Sequence, residues 1–421
     1  MYKLKDEEER MLASNEVHDF FAEQESGDQW IIVYTNELEV LPLENNDLTI
    51  YMQNAFHFKT RSGFTIKGFA SDVEEEEILT SMRSTKTCII VPINNEMCMY
   101  PLRYTAWSHL QDRSGITGGS ISSLKARKRA TEMPPATRCQ CLNDGLTLYK
   151  DKTLVLIRNG KVTALLSGDE NDYSVMPVIK LLNILESELT NSYQGYELTG
   201  AVATHEIASA TYDLHDADLE KRIMQILSDN GQLFSNVKVQ IRLTTSDVGL
   251  CAARLSPIIL IDHYVMPIGR SLYVNHKGGA KAMSLYTDIV RLLLAKYREN
   301  ISNLRNLMKV AILHPADCLR NTYTALKLKG YSAELNQCVE RIRQEHADSC
   351  TGYDIYWYLN EILLIVEPIE PPDDFTRICN AAYAMIPPKI AFFEKLIILS
   401  SLEKNRIHML IARSSQQREP Q

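Results

Sequence analysis

The densest run of positive charge in the chain is Lys125-Ala126-Arg127-Lys128-Arg129, set between Gly118-Gly119 and Pro134-Pro135. Lys125, Arg127, Lys128, Arg129 and Arg138 against Glu132 leave a local surplus of four positive charges. The chemistry open to such a run is contact with phosphate, since each Lys or Arg that neutralises a phosphate releases a counterion. Arg270 and Lys277 lie on either side of the short apolar segment Leu272-Tyr273-Val274 and extend this candidate nucleic-acid-binding set. A solvated surface, or a face for an acidic protein partner, would use the same charges. Gly278-Gly279 precedes a long amphipathic segment and either offers backbone N–H groups to a phosphate or makes a plain turn into a helix.

Other groupings carry weaker chemistry. Asp213, His215, Asp216 and Asp218 supply hard ligands for a divalent cation, but they stand where a helix begins, and acidic caps belong there. Cys139 and Cys141 are too close for the usual zinc pair, while Cys338, His346 and Cys350 would need a fourth ligand such as Cys318. Cys251 is a nucleophile only with a base beside it, His263 or His276 being the candidates. Tyr353, Tyr356, Trp357 and Tyr358 form an aromatic cluster suited to stacking bases or to packing a helical core. Glu74 to Glu77 is a carboxylate run at a helix start, where negative charge complements the helix dipole. The phosphate loop GxxxxGK[ST], the dinucleotide fingerprint, HExxH, the nucleophile elbow and paired CxxC are all missing from the sequence. No catalytic residue, metal or cofactor is expected on these grounds.

Composition sets wider limits. The chain has 421 residues, 45% apolar and 23% charged, ordinary usage for a folded protein with more than one core. No run of eighteen apolar residues occurs and the first segment, MYKLKDEEER, is charged, so neither a membrane span nor a signal peptide is expected and a cytoplasmic setting is. Nine cysteines, odd in number and scattered, point to reduced thiols. The formal net charge of −8 means that nucleic-acid binding must come from a local basic patch, because the summed field repels phosphate.

The elements that must position these residues follow from periodicity. Lys5 to Gln24 predicts a helix with Met11, Leu12, Val17, Phe20 and Phe21 on its apolar face. Trp30 to Phe69 alternates as strands (WIIVYT, LEVLPL, LTIYMQ, FTIKGF), a meander pattern. CIIVPI and EMCMYPL flank Asn94-Asn95, and TLVLIR and KVTALLS flank Asn159-Gly160, both hairpin signals. Helices are expected from Glu74 to Arg83, over Thr105–Arg113, around Val178, Leu181, Leu182 and Leu185, and from Ala217 to Leu227. YELTGAVATHEIASATYDL predicts a strand pair. From Ala280, apolar residues from Tyr286 to Ala311 recur every three or four positions, a helix of about thirty residues and roughly 45 Å.

The stretch from Val237 to Gly279 joins these parts, with three or four strands punctuated at Ser246-Asp247, Gly249, Pro257 and Gly269. Thr245-Ser246-Asp247-Val248-Gly249, the alternating run after it and Asn275-His276-Lys277-Gly278 resemble the phage and plasmid proteins of domain of unknown function 932. YPLRYTAWSHLQDRSGITGGSISSL and the order Leu166, Ser167, Tyr173, then helix, resemble the same family, so the likeness spans roughly 96–309. The family's usual Cys followed by Asn-Gly before the last strand is replaced here by Tyr264 to Gly269. The resemblance implies a phage or plasmid origin.

The expected fold is α+β: antiparallel sheets with helices on one face, followed by an all-helical C-terminal region. Three units are expected, an α+β domain with a meander over 1–135, a central α+β domain over 136–314 and a helical bundle or arm over 315–421. A single sheet holding Val155, Ile157, Val239, Ile241 and Ile259 under Leu181 and Leu185 would join the hairpin to the central stretch. Two function classes fit best, a non-enzymatic DNA- or RNA-binding protein of phage or plasmid replication, recombination or protection, and a module that binds a host or phage protein, as an inhibitor of bacterial defence or a self-assembling oligomer; an enzyme with an unfamiliar site is a third.

Overall fold

The computed structural model of the chain describes residues 4, 8–43, 57–61, 63–116, 133–232, 234–326 and 332–366. In chain order the first elements are strand β1 (Arg10–Leu12), helix α1 (Val17–Gly27), strands β2 (Gln29–Tyr34), β3 (Glu39–Pro42), β4 (His57–Lys59) and β5 (Thr65–Lys67), and helix α2 (Glu75–Arg83). Strands β6 (Thr87–Ile93) and β7 (Glu96–Pro101), helices α3 (Tyr104–Arg113) and α4 (Pro135–Leu146), and strands β8 (Lys152–Arg158) and β9 (Lys161–Ser167) follow. Next come α5 (Val178–Ser192), β10 (Tyr196–Ala203), β11 (Ala208–Leu214), α6 (Ala217–Ser228), β12 (Val237–Thr245), β13 (Ala253–Ile261), β14 (Tyr264–Pro267) and β15 (Leu272–Val274). The last are α7 (Ala280–Met308), β16 (Ala311–Ile312), α8 (Pro315–Ala325), α9 (Ser332–Glu345), β17 (Cys350–Thr351) and α10 (Gly352–Val366). The fold is mixed α+β with antiparallel sheets, as the periodicity predicts.

Both predicted hairpins form for the reason given. Asn94 and Asn95 have φ of 50° and 67°, and Asn159 and Gly160 have 53° and 71°, the left-handed pair that a two-residue type I′ turn demands. Gly160 is further required because a Cβ there would lie 2.9 Å from the Val73 Cα. The sheet β3-β6-β7 and the sheet β2-β8-β9 meet at a parallel bridge between Leu102 and Val162. Helices α2, α3 and α4 contribute to the apolar core they enclose, which includes Ile78, Ile89, Leu110, Leu142, Val155 and Ile157.

Two expectations are corrected here. The strands of the first third do not form a consecutive meander: β2 pairs antiparallel with β8, so this core runs across the boundary expected at Pro134-Pro135. The segment LTIYMQ lies outside the described residues. Nor do Val155 and Ile157 share a sheet with Val239, Ile241 and Ile259. Strand β8 has β2 on one side and β9 on the other, while the β12–β13 pair belongs to a seven-stranded sheet whose order is β1-β10-β11-β12-β13-β14, with β15 also paired to β13. Leu181 and Leu185 pack on the larger sheet alone.

That larger sheet explains the alternation of its strands. Val237, Val239, Ile241 and Leu243 of β12 are buried beneath helices α5, α6 and α7, and the intervening residues face the other way. Pro257, expected to end a strand, sits inside β13. Its carbonyl accepts from Ile268 N–H at 3.0 Å, and its missing donor falls between Ala253–Leu255, paired to β15, and Ile258–Ile261, paired to β14. The ladder therefore loses nothing there.

The first helix begins at Val17 rather than Lys5. Arg10–Leu12 instead forms β1 against β10, leaving Met11 80% exposed while Val17, Phe20 and Phe21 remain buried. Helix α7 is as long as its periodicity predicts, ending at Met308, with Tyr286, Val290, Leu293, Tyr297, Ile301 and Leu304 buried. Beyond it, α8, α9 and α10 add Leu319, Ile342, Tyr353, Tyr356 and Ile362 to the same core, so this part of 315–421 is an extension of the central unit rather than an arm; residues 367–421 lie outside the described set. The aromatic cluster is spent on this packing, with Trp357 stacked 5.8 Å from Phe234. Two polar groups of α10 also reach the outer strand β14: Tyr356 Oη donates to the Pro267 carbonyl at 2.8 Å and Asn360 Nδ2 to that of Val265 at 2.7 Å. No helix of the described residues is long and apolar enough to cross a membrane.

Candidate nucleic-acid interface

The Thr245–Gly249 motif lies at the end of β12, where the two cores meet. Asp247 pairs with Arg158 at the end of β8, and Arg158 in turn holds Asp28 at the C-terminus of α1 through Nε at 2.7 Å and Nη2 at 2.5 Å. Burial alone would disfavour the Arg158 charge, but the two carboxylates overcome it and raise its pKa. Burial raises the Asp28 pKa, with the Arg158 hydrogen bond acting against it. Tyr173 donates to the Asp247 carbonyl at 2.7 Å and its ring stacks on His276 at 5.5 Å and 9°. His276 Nε2 lies 3.4 Å from Thr245 Oγ1 and Nδ1 lies 3.3 Å from the Ser174 carbonyl. The motif residues thus converge on one another, in a largely buried junction between the cores.

The Gly278-Gly279 turn is likewise filled from within. Both glycines have positive φ, their N–H groups point to the Glu170 carbonyl at 2.8 and 3.1 Å, and Gly279 N–H also reaches Ser174 Oγ at 2.7 Å. A phosphate there would have to displace this loop. The acidic group around 213–218 is structural: Asp216 caps α6 by accepting from Leu219 N–H at 3.0 Å and pairs with Arg298, and Asp213 binds Lys238 and Gln240. No cluster of three or more His, Cys, Asp or Glu suited to a metal occurs among the described residues, and the eight described cysteines form no disulfide with one another, Cys251 being buried.

Of the predicted nucleic-acid-binding residues, Lys125, Arg127, Lys128 and Arg129 lie outside the described residues. Arg270 and Lys277 are both exposed, on the two flanks of β15. On α7, Arg291 and Arg298 are engaged by Glu188 and Asp216.

A different surface comes from the strand alternation itself. The face of the seven-stranded sheet opposite the helices carries a groove of about 620 Å³. One cross-strand row runs Met11, Val202, Ser209, Thr244, Arg254, Tyr273, each residue opposite the next in register. A second row runs Gly200, Thr211, Arg242, Ser256, and Ser256 Oγ meets Ser271 Oγ at 2.8 Å. Six strands at about 4.8 Å spacing make the first row about 24 Å long. Gly200 allows β1 to approach, since a Cβ there would come 2.9 Å from the Leu12 carbonyl oxygen. Arg254 lies in the floor of the groove at 8% exposure, Arg242 is half-buried, and Tyr273 stands 54% exposed at the far end. Glu9 marks the opposite rim.

No run of charge singles out Arg242 and Arg254. Their signal in the sequence is the period of two in VKVQIRLTT and ARLSPIILI, which sets the polar positions on one face. The surface carries two guanidiniums flanked by hydroxyls, with an exposed tyrosine at one end, groups whose chemistry suits phosphates and bases.

No family model, curated protein or solved structure matches the chain.

Proposed function

We propose that the protein binds a single strand of nucleic acid across the outer face of the seven-stranded sheet, as a non-enzymatic factor of phage or plasmid origin acting in replication, recombination or protection. The observation that carries this reading is the pair Arg242 and Arg254 on one open face, among serines and threonines and beside exposed Tyr273. An open antiparallel sheet presents side chains at regular spacing to unstacked bases and their backbone. Arg270 and Lys277 flank the same edge at β15, and the basic run Lys125, Arg127, Lys128 and Arg129 supplies further phosphate contacts. The origin rests on the resemblance of the Thr245–Gly249 and Asn275–Gly278 segments.

The test is fluorescence-polarisation titration with single- and double-stranded DNA and RNA at two salt concentrations. Single strands should bind more tightly than duplex, and the log–log salt slope should fall by about 0.7 for each phosphate contact removed, as in Arg242→Gln or in a variant with the basic run neutralised. Absence of binding to every nucleic acid at low salt would defeat the reading. A second reading, a protein-interaction module, is favoured by Ile32 and Tyr34 on β2, exposed by 58% and 50%. Loss of a protein partner on Ile32→Lys, with nucleic-acid affinity intact, would support it.

A further inference from the structure

We infer that the strand held on this sheet is RNA, selected over DNA by its 2′-hydroxyls; the inference rests on the nucleic-acid reading above. The observation is an alternation of arginine and hydroxyl in both directions of the sheet. Along β12, Arg242 is followed two residues on by Thr244, and along β13, Arg254 is followed by Ser256. Across the strands, Arg242 stands opposite Ser256 and Thr244 opposite Arg254, while Thr211 is the other neighbour of Arg242. Each guanidinium therefore has hydroxyls as its cross-strand neighbours, with Cβ separations of about 4.5–5.5 Å.

An RNA backbone repeats the complementary pattern, a phosphate and then a ribose hydroxyl in every nucleotide. A deoxyribose strand offers only the phosphates. The hydroxyls on the sheet keep capacity for such contacts. Ser209 Oγ and Thr244 Oγ1 are 3.2 Å apart, and Ser256 Oγ and Ser271 Oγ 2.8 Å. The Ser209–Thr244 pair shares one proton, and because every hydroxyl carries one donor and two lone pairs, a donor and several lone pairs remain there. A 2′-hydroxyl is both donor and acceptor and satisfies either need; it is the group by which a protein tells RNA from DNA. Thr199, by contrast, spends its proton on the Thr211 carbonyl at 3.0 Å and retains only acceptor capacity at the β10 side.

The experiment compares labelled oligouridine, oligodeoxyuridine and 2′-O-methyl-oligouridine of about ten nucleotides, a length within single-strand site sizes. Their bases are identical, so only the 2′ position varies. Oligouridine should bind about tenfold more tightly than the deoxy strand, two or more hydroxyl contacts each contributing a few-fold. The 2′-O-methyl strand, which has lost the donor, should fall between or below them. In the double variant S209A/T244V oligouridine should lose more affinity than the deoxy strand, narrowing the gap. Equal binding of the ribose and deoxyribose strands would overturn the RNA inference and leave nucleic-acid binding standing, as would a gap that survives unchanged in the double variant. Failure of all three strands to bind would overturn both. Should the double variant not fold, the three strands on the wild-type chain decide the matter alone.

Discussion

Acidification should destabilise the protein through His109. This residue lies on α3, over β9, and its Nδ1 accepts the Leu165 N–H at 3.4 Å. Burial lowers its pKa from 6.5 to about 4; Asp112 and Glu206 pull it up and Arg113 pushes it further down. A proton on Nδ1 would turn this acceptor into a donor facing the Leu165 N–H donor, a local reason, beside burial, for the neutral form. The folded pKa is below the unfolded one, so the stabilisation is fully present above about pH 6.5 and is lost as pH falls toward 4. With 1.36 kcal/mol for each unit, the full loss is about 3 kcal/mol, and about 2 kcal/mol should already be gone at about pH 5. Urea titrations of the wild type and of His109→Gln across this range isolate the effect, since the variant cannot titrate at this position. The wild type should lose about 2 kcal/mol more than the variant between about pH 8 and pH 5. Parallel pH profiles would refute the argument.

Arg158→Met removes the cation shared by Asp28 and Asp247 and should cost about 3–5 kcal/mol, because two carboxylates are left buried without their partner; Asp28→Asn should be milder, as burial already raises the pKa of that carboxyl, and the order of denaturation midpoints checks this. Leu185→Ala, in the core of the larger sheet, should cost about 2–5 kcal/mol in the same assay. Gly200→Ala places a methyl against the Leu12 carbonyl and should release β1, read as faster amide exchange at residues 10–12 with β11–β13 still protected. An unchanged exchange pattern would show that β1 tolerates the methyl.

The parts of the fold legible in the sequence are those set by neighbours in the chain. Asn94-Asn95 and Asn159-Gly160 specify their turns locally, and the stripe from Tyr286 to Leu304 specifies a helix by its own period. The pairing of β2 with β8 has no such signal, because its two strands are joined only through everything between them. Arg158 follows the same rule: beside an Asn-Gly turn it resembles any hairpin arginine, and its carboxylate partners stand at 28 and 247. The candidate interface was half legible. Lys238, Gln240, Arg242 and Thr244 alternate with valine, isoleucine and leucine, enough to place them on one face, but which face the helices leave open is decided by the connections of α5, α6 and α7.

The hydrogen bonds from α10 to β14 bear on how this protein fails as well as on how it folds. An outer strand whose carbonyls accept from Tyr356 and Asn360 has those acceptors occupied, so a strand from another molecule can add there only after the helix lifts away. Detachment of α10 would at once bare the β14 edge and the aromatic surface of Phe234 and Trp357. Strand addition on that side is therefore gated by α10, and anything that loosens this helix, by proteolysis or by mutation, would convert a covered sheet edge into a template for polymerisation.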